Sequence, residues 1–204
     1  MAFFIEELYE GNTMYEVIWH GRGGQGVVIA AQILAESAYL QGFKGVTSAP
    51  TFGPERRGAP LTASTRISDT PIRMFSQIDK ADIAVVLDPS LFGVVNILAS
   101  LKPEGLLIIN TAQKADEVDC DGCRNVATVD AAEIALRFHL LKEGKPIVNT
   151  PMLGVFSRAS GLISIEHLEK GLKWKLSGGA AATNIAALRA AYEETSTKET
   201  AEKG

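Results

Sequence analysis

The sequence predicts a single α/β domain, namely a three-layer α/β/α sandwich with a mostly parallel mixed sheet that includes an antiparallel hairpin. Two observations lead to this fold class. Short strand-like runs alternate with helical patterns along the chain, which is typical of a mostly parallel sheet with helices on both faces. Two strand-like runs are also separated only by turn residues, which indicates an antiparallel pair. A chain of 204 residues is long enough to bury one sizeable core.

In the first half of the chain, the longest element that we expect is a helix at residues 27–40. Its only polar residues are Gln32, Glu36 and Ser37, so we expect the helix to be covered on more than one side. The other elements expected here are strands at 15–20 and 43–50, and a hairpin of 61–67 and 72–78 around the turn at 68–71.

Strands and helices alternate again in the second half of the chain. Asp130 is expected to cap the helix that follows it, because an Asp side chain accepts hydrogen bonds from the first amides of a helix. Residues 1–13 are interpreted as an N-terminal arm, 14–194 as the domain and 195–204 as a flexible polar tail. The elements expected within the domain are strands at 82–87, 106–110 and 126–129 and helices at 91–100, 131–141, 150–161, 165–176 and 180–194.

The charge balance limits the partners of this chain. It has 20 Lys and Arg against 24 Asp and Glu, and a net charge of −4 gives no general attraction to nucleic acid or anionic lipid. The apolar runs are too short to cross a bilayer, and the first residues lack the basic region of a signal peptide. We therefore expect a cytoplasmic protein that binds neither nucleic acid nor membrane. Two cysteines are too few for a disulfide framework.

A glycine cluster, Gly-Arg-Gly-Gly-Gln-Gly at residues 21–26, lies between the first strand and the long helix. This spacing lets phosphate oxygens approach backbone amides at a helix N-terminus. A dinucleotide site also needs an acid about 20 residues later, whereas the acids that follow are Glu36, inside the helix, and Glu55. No Gly-Lys-Ser/Thr ending follows, so a nucleotide-hydrolysing loop has no support. Three interpretations stay open: a structural turn, a phosphate-bearing ligand shared with a partner chain, and a self-contained dinucleotide site.

A second candidate is the basic loop after the second expected strand. Arg56 and Arg57 stand side by side in it, and two guanidinium groups can hold phosphate or carboxylate in bidentate fashion. Because the loop follows the second strand, it could lie near the glycine cluster. The alternative is a solvated loop.

The remaining polar motifs predict no catalytic residue and no metal ligand. Cys120 and Cys123 supply half of a tetrahedral zinc site without a second pair, so we interpret this segment as a solvated acidic turn. The three histidines lie on separate segments without an acid or nucleophile at a suitable spacing. Residues 149–154 indicate a helix start with proline in its first turn. The chain also lacks the cysteine run of iron–sulfur proteins and the Gly-Asp-Gly motif of thiamine enzymes.

Two motifs together resemble the γ subunits of 2-oxoacid:ferredoxin oxidoreductases. They are the glycine cluster at 21–26 and the run Phe-Gly-Pro-Glu-Arg-Arg-Gly-Ala-Pro at 52–60. The similarity extends over roughly residues 14–190, with further matches at 65–68, 88–91 and 149–154.

The resemblance implies a subunit of an enzyme complex that is inactive in isolation. In that family, α and β chains bind thiamine diphosphate and the 2-oxoacid, and a ferredoxin-like δ chain carries iron–sulfur clusters. The oxoacid is oxidatively decarboxylated to acyl-CoA and CO2, and electrons leave to an acceptor such as ferredoxin. Arg22 and residues 55–60 are more similar to pyruvate-type than to oxoglutarate-type γ chains, so pyruvate is favoured. Related enzymes act on branched-chain 2-oxoacids, indolepyruvate or phenylglyoxylate.

In that family the γ domain lies beside the coenzyme A region. The helix at 27–40 or the alanine-rich helix at 180–191 is expected to line a subunit interface. A free-standing dinucleotide-binding protein and a scaffold without ligand contact are the alternatives. By the resemblance, the candidate contacts to coenzyme A are Gly23, Gly24, Gln25, Gly26, Arg56 and Arg57.

Overall fold

The computed structural model describes residues 14–50, 58–74, 76–120 and 123–199. A seven-stranded mixed sheet with the strand order β2-β3-β1-β4-β5-β6-β9 forms its centre. The strands are β1 Met14–Arg22, β2 Gly45–Pro50, β3 Pro60–Ser68, β4 Ala81–Val86, β5 Leu101–Asn110, β6 Asn125–Val129, β7 Leu141–Lys142, β8 Lys145–Pro146 and β9 Ser196–Glu199. The α-helices are α1 Val27–Gln41, α2 Ala131–Arg137, α3 Asn149–Ser160, α4 Ile165–Lys175 and α5 Gly178–Glu194.

The middle of the sheet is parallel and its flanks are antiparallel. Strands β1, β4, β5 and β6 run in the same direction, so their carboxyl ends meet at one edge of the sheet. Strand β3 runs antiparallel to β1 over its whole length, from Met14 opposite Ser68 to Arg22 opposite Pro60. The predicted α/β class with a mixed sheet is confirmed.

All five α-helices contribute to the main core on one face of the sheet. Side chains of β1 alternate in direction, so Val17 and Trp19 enter this core, and Trp19 stacks on Phe156 of α3 at 6.1 Å between ring centroids. Helix α1 is packed between the sheet and α4, where Gly171 fits against Ser37. The prediction that the helix at 27–40 is covered on more than one side is therefore confirmed.

The other face has a smaller core that is covered by 3-10 turns and irregular segments. Its centre is formed by alternate residues of β4 and β5, such as Val86 and Leu107. The predicted helix at 91–100 is wrong, since this stretch contains the 3-10 turns Pro89–Gly93 and Leu98–Ser100. Gly93 and the β-branched residues that follow it disfavour a helix interior. The third 3-10 turn is Ala115–Glu117.

The predicted hairpin of 61–67 and 72–78 is also wrong. Strand β3 pairs with β2 on one side and with β1 on the other. Both of its edges are therefore occupied, and no hydrogen-bonding edge remains for the following segment. The described residues of 71–78 have no regular structure.

The C-terminal end of helix α2 and the C-terminal tail of the domain differ from the prediction. Helix α2 begins as expected, with the Asp130 carboxylate accepting from the Glu133 amide at 2.8 Å, but it ends at Arg137 rather than at residue 141. His139 then adopts a left-handed φ of 53° before the short β7–β8 hairpin. Within the predicted tail, Ser196–Glu199 pairs with β6 as an antiparallel edge strand.

In the part of the chain that the structure describes, no helix has the length and apolar character that a membrane span requires.

Candidate functional site

The glycine turn, residues 21–26, joins β1 to α1 at the carboxyl edge of the parallel strands. The Gln25 amide donates to the Arg22 carbonyl at 3.0 Å. Gly24 and Gly26 have left-handed φ values of 97° and 83°, which favour glycine. No described side chain caps the N-terminus of α1, so within the described part of the chain its first amides face this edge without a side-chain acceptor. Such a terminus is suited to bind an anion.

Arg22 is bound within this edge. Its Nε donates to Asp88 Oδ2 at 3.1 Å, and its Nη2 donates to Ser90 Oγ at 2.8 Å. Its Nη1 donates to the Gly58 carbonyl at 3.0 Å. Gln25 Nε2 donates to the same Asp88 oxygen at 3.0 Å. Asp88 therefore ties the glycine turn to the end of β4 and neutralises the charge of Arg22.

The protonation state of Asp88 follows from these contacts. Burial raises the pKa of the carboxyl, but hydrogen bonds from Ser90 and Gln25 and the charge of Arg22 outweigh burial, so the pKa lies below its ordinary value of 3.8. Asp88 is consequently an ionised structural acceptor at neutral pH and not a general acid.

The loop between β2 and β3 reaches the glycine turn. The Gly23 amide donates to the Ala59 carbonyl at 2.9 Å, and the Gly58 amide donates to the Gly23 carbonyl at 3.2 Å. The expected proximity of the basic loop to the glycine cluster is thus confirmed for the described end of the loop. Arg56 and Arg57 lie outside the described residues.

Asn149, at the start of α3, closes the glycine turn from the helical side. Its Nδ2 lies 3.5 Å from the Gly26 carbonyl, and a Cβ on Gly26 would lie only 2.5 Å from that nitrogen. The neighbouring Thr150 hydroxyl donates to Asn184 Oδ1 of α5 at 2.7 Å. The predicted helix start is confirmed. Sequence reasoning missed the contact with Gly26, because 123 residues separate the two positions.

His20 is the last residue of β1 before the glycine turn, and its side chain lies on the opposite face of the strand from Trp19. It is 5% exposed, and neither ring nitrogen has a hydrogen-bond partner among the residues that the structure describes. Burial lowers the pKa of its imidazole from 6.5 to about 4, so the ring is neutral at physiological pH. Of the two alternatives, a core or a surface histidine, the structure confirms the core position for His20. That its ring nitrogens make no hydrogen bond to the described residues could not be predicted from the sequence.

Cys120 and Cys123 form a disulfide in the turn before β6, with their Cα atoms 5.5 Å apart. Both cysteine side chains are half-buried against the smaller core, and the tip of the predicted solvated turn, residues 121 and 122, lies outside the described residues. Among the described residues, no group of three or more His, Cys, Asp or Glu side chains is placed to hold a metal ion.

The described groups at this edge are suited to binding. They consist of backbone amides, an arginine already paired with Asp88, and the buried carboxamide of Asn149. Backbone amides at a helix N-terminus can bind a phosphate or carboxylate group, but they do not take part in a reaction of that group.

This sheet and its glycine turn define a fold class that is known from solved structures. Pyruvate oxidoreductase subunit PORC from Thermotoga maritima aligns with a TM-score of 0.77 and 33% sequence identity, over 92% of this chain and 100% of that chain.

Two relatives in sequence agree with the structural comparison. The common γ subunit of pyruvate/ketoisovalerate oxidoreductases from Pyrococcus furiosus is 49% identical over 185 residues, which are 89% of this chain and 97% of that protein. Pyruvate synthase subunit PorC from Methanothermobacter marburgensis is 44% identical over 181 residues, with the same coverage of both chains. The sequence profile of the pyruvate ferredoxin/flavodoxin oxidoreductase family matches residues 16–194. The chain therefore belongs to this family, and the resemblance predicted from the two motifs is confirmed.

Proposed function

We propose that this chain is the γ subunit of a thiamine-diphosphate- and iron–sulfur-dependent oxidoreductase that converts a 2-oxoacid to acyl-CoA and CO2. The relatives from Pyrococcus and Methanothermobacter, which match nearly their full lengths, support the subunit role. Pyruvate is the favoured substrate, since it is named for both. The Pyrococcus relative is a subunit common to two oxoacid oxidoreductases, which argues that another subunit selects the oxoacid.

In this proposal, the α, β and ferredoxin-like δ subunits carry the cofactors. Among the described residues, the paired Cys120 and Cys123 are joined to each other, and no cluster of ligands for a metal is present. Thiamine diphosphate would supply the carbanion chemistry and the clusters would carry the electrons, both outside this chain. In this proposal, the role of this chain is to contribute binding surface.

The proposed ligand of this chain is coenzyme A, at the glycine turn and the adjoining basic loop. The observation that carries this proposal is the pair of backbone hydrogen bonds between Gly23 and residues 58 and 59. Gly58 and Ala59, which follow Arg57 in the sequence, are the described end of the basic loop, and their contacts with Gly23 support a coenzyme A site that combines this loop with the amides at the start of α1. Since Asp88 already pairs with Arg22, the proposal assigns the contacts to the phosphates of coenzyme A to Arg56 and Arg57.

A free-standing dinucleotide site is less well supported by the geometry. The fingerprint acid about 20 residues after the glycines is missing, and Asp88, which follows β4, the parallel neighbour of β1, is an acid at the same edge that a ribose could use instead. Its oxygens already accept from Arg22, Gln25 and Ser90. A ribose would have to displace these charge-assisted hydrogen bonds.

Purification from the native source tests the subunit role. A tagged chain should copurify with chains that bind thiamine diphosphate and iron–sulfur clusters, whereas the chain alone should be colourless and should bind neither thiamine diphosphate nor NAD. An iron–sulfur absorbance of the chain alone, or a micromolar affinity for NAD in calorimetry, contradicts the proposal.

The coenzyme A contact is tested with Arg56→Ala and Arg57→Ala together in the whole complex. Loss of charge-assisted hydrogen bonds of about 1.5 to 3 kcal/mol corresponds to a roughly ten- to hundredfold weaker affinity for coenzyme A. Reduction of the clusters by oxoacid alone should stay near normal, and the coenzyme-A-dependent step should saturate only at higher coenzyme A. Lys142→Ala with Lys145→Ala, on the exposed β7–β8 hairpin, is the matched control. An assembled Arg56/Arg57 variant with unchanged coenzyme A dependence refutes the contact.

A further inference from the structure

Trp174 is the most exposed large apolar side chain among the described residues. It lies near the end of α4 and is 68% exposed, whereas the other tryptophan, Trp19, is fully buried. An indole left in water forgoes much of the stabilisation that burial of so large a ring would give. Tryptophan is also among the residues that contribute most energy at protein interfaces. The position therefore indicates a surface that is covered in the assembled protein.

The side chains around Trp174 are basic. Lys170, Lys173 and Lys175 are exposed on the same half of α4, although the chain as a whole has a net charge of −4. None of the three pairs with an acid among the described residues. Lys170 Nζ lies 3.4 Å from His167 Nε2, and Lys175 Nζ donates to Gln32 Oε1 at 3.0 Å. Lysines in the last turn of a helix complement its dipole, but this leaves their ammonium groups in solvent.

A concavity lies beside these lysines, between the end of α4 and the start of α5. It has a volume of about 540 Å³, and its lining includes Lys173, Leu176, Ala182 and Ile185. Ala182 is exposed and Ile185 is half-buried, so small and apolar groups form this part of the surface. The space is large enough for an apolar side chain of another protein. The lysines beside the concavity would then pair with carboxylates of the partner protein that flank the inserted side chain.

We propose that this patch, formed by Lys170, Lys173, Trp174, Lys175 and the adjoining start of α5, docks an acidic segment of a partner chain in the complex. The inference rests on the proposed subunit role and names the chemistry of one interface. Charge complementarity supports an acidic partner, because the three lysines form a local positive surface on a chain with a net negative charge. The exposed indole and the apolar concavity favour a protein over a simple anion.

Cross-linking of the intact complex tests the proposal. A carbodiimide joins lysines directly to carboxylates, so the expected products are peptides that link Lys170, Lys173 or Lys175 to Asp or Glu of another chain. In the same sample, acetylation of Lys173 should be at least about fivefold slower than that of Lys142 and Lys145, which are also exposed in the chain itself. A complex in which Lys173 reacts as fast as Lys142, and forms no link to another chain, overturns the inference. Protection that disappears after nuclease treatment overturns it as well, because it assigns the patch to nucleic acid.

Charge reversal supplies a second measurement. Lys170→Glu with Lys173→Glu should lower the fraction of this chain retained in the purified complex at least tenfold, whereas Lys142→Glu with Lys145→Glu should not change it. Retention unchanged by the α4 variant overturns the proposal. If no partner chains copurify with the unaltered protein, the proposed subunit role itself fails. If they copurify while the patch stays reactive, only the docking inference fails.

Discussion

The guanidinium of Arg22 and the carboxylate of Asp88 are 3.1 Å apart and join the glycine turn to the end of β4. Their side chains are 27% and 18% exposed, so water screens this ion pair only in part. The same carboxylate oxygen accepts from Gln25. One acidic side chain therefore fixes both polar side chains of the glycine turn.

We expect Asp88→Asn to destabilise the chain by about 1 to 3 kcal/mol at pH 7, because hydrogen bonds to a charged acceptor are lost. Urea unfolding at equilibrium measures this difference. Asp116→Asn, on an exposed 3-10 turn, removes the same charge without these contacts and is the control. Equal stability of the two variants would contradict the structural role of Asp88.

The stabilisation by Asp88 should also depend on pH. Its folded pKa lies below 3.8, so the stabilisation is present above pH 3.8 and is lost as the pH falls through the folded pKa. The difference in unfolding free energy between the unaltered protein and Asp88→Asn should shrink accordingly below pH 3.8. A difference that stays constant in this range would exclude a contribution from the ionised carboxylate.

His20 should make the protein less stable in mild acid. Its pKa is about 4 when folded and 6.5 in the unfolded reference, so the unfolded state binds a proton first as the pH falls from 6.5 to 4. Between pH 7 and pH 5 this linkage costs about 2 kcal/mol of stability. His20→Leu should lose about that much less over the same interval, and the two proteins should respond alike to pH above 7.5. Parallel pH profiles in urea unfolding would show that His20 is not buried in its neutral form.

The α3–α5 contact depends on Gly154. A Cβ at this position would collide with the backbone carbonyl of Leu188 on α5. Gly154→Ala should therefore force the helices apart and cost about 1 to 3 kcal/mol, as overpacking does. Gly179→Ala, in the first turn of α5 with open space around it, should be neutral or stabilise by up to about 1 kcal/mol. Thermal unfolding of the two variants distinguishes these outcomes, and a tolerated Gly154→Ala would contradict the close helix packing.

Substitutions of Gly24 and Gly26 distinguish the cost of backbone strain from the cost of a clash with Asn149. Both have a left-handed φ, but Gly26 faces the Asn149 side chain, whereas a Cβ on Gly24 would meet none of the described residues. Gly24→Ala should cost about 1 kcal/mol from strain alone. Gly26→Ala should cost more, because the buried carboxamide has to move as well. Urea unfolding that gives equal losses would contradict the contact.

The order of the strands and helices could largely be predicted from the sequence, because their signals are local. The long apolar helix, the buried strands and the cap at Asp130 each depend on residues within a few positions of one another. The errors in the predicted elements arose where tertiary packing, and not the local sequence, determines the backbone conformation. Residues 91–100 are apolar enough for a helix but fold as 3-10 turns across the smaller core.

The sequence by itself determined the glycine turn, since the spacing of its glycines between a strand and a helix requires no distant residue. Only the tertiary structure decided which residues fix that turn. Asp88 is 66 positions from Arg22, and Asn149 is 123 positions from Gly26. Local propensities act over one or two turns of chain, whereas these contacts depend on the strand order that places β4 beside β1 and on the docking of α3 against α1. The pairing of Arg22 with Asp88 follows from that order.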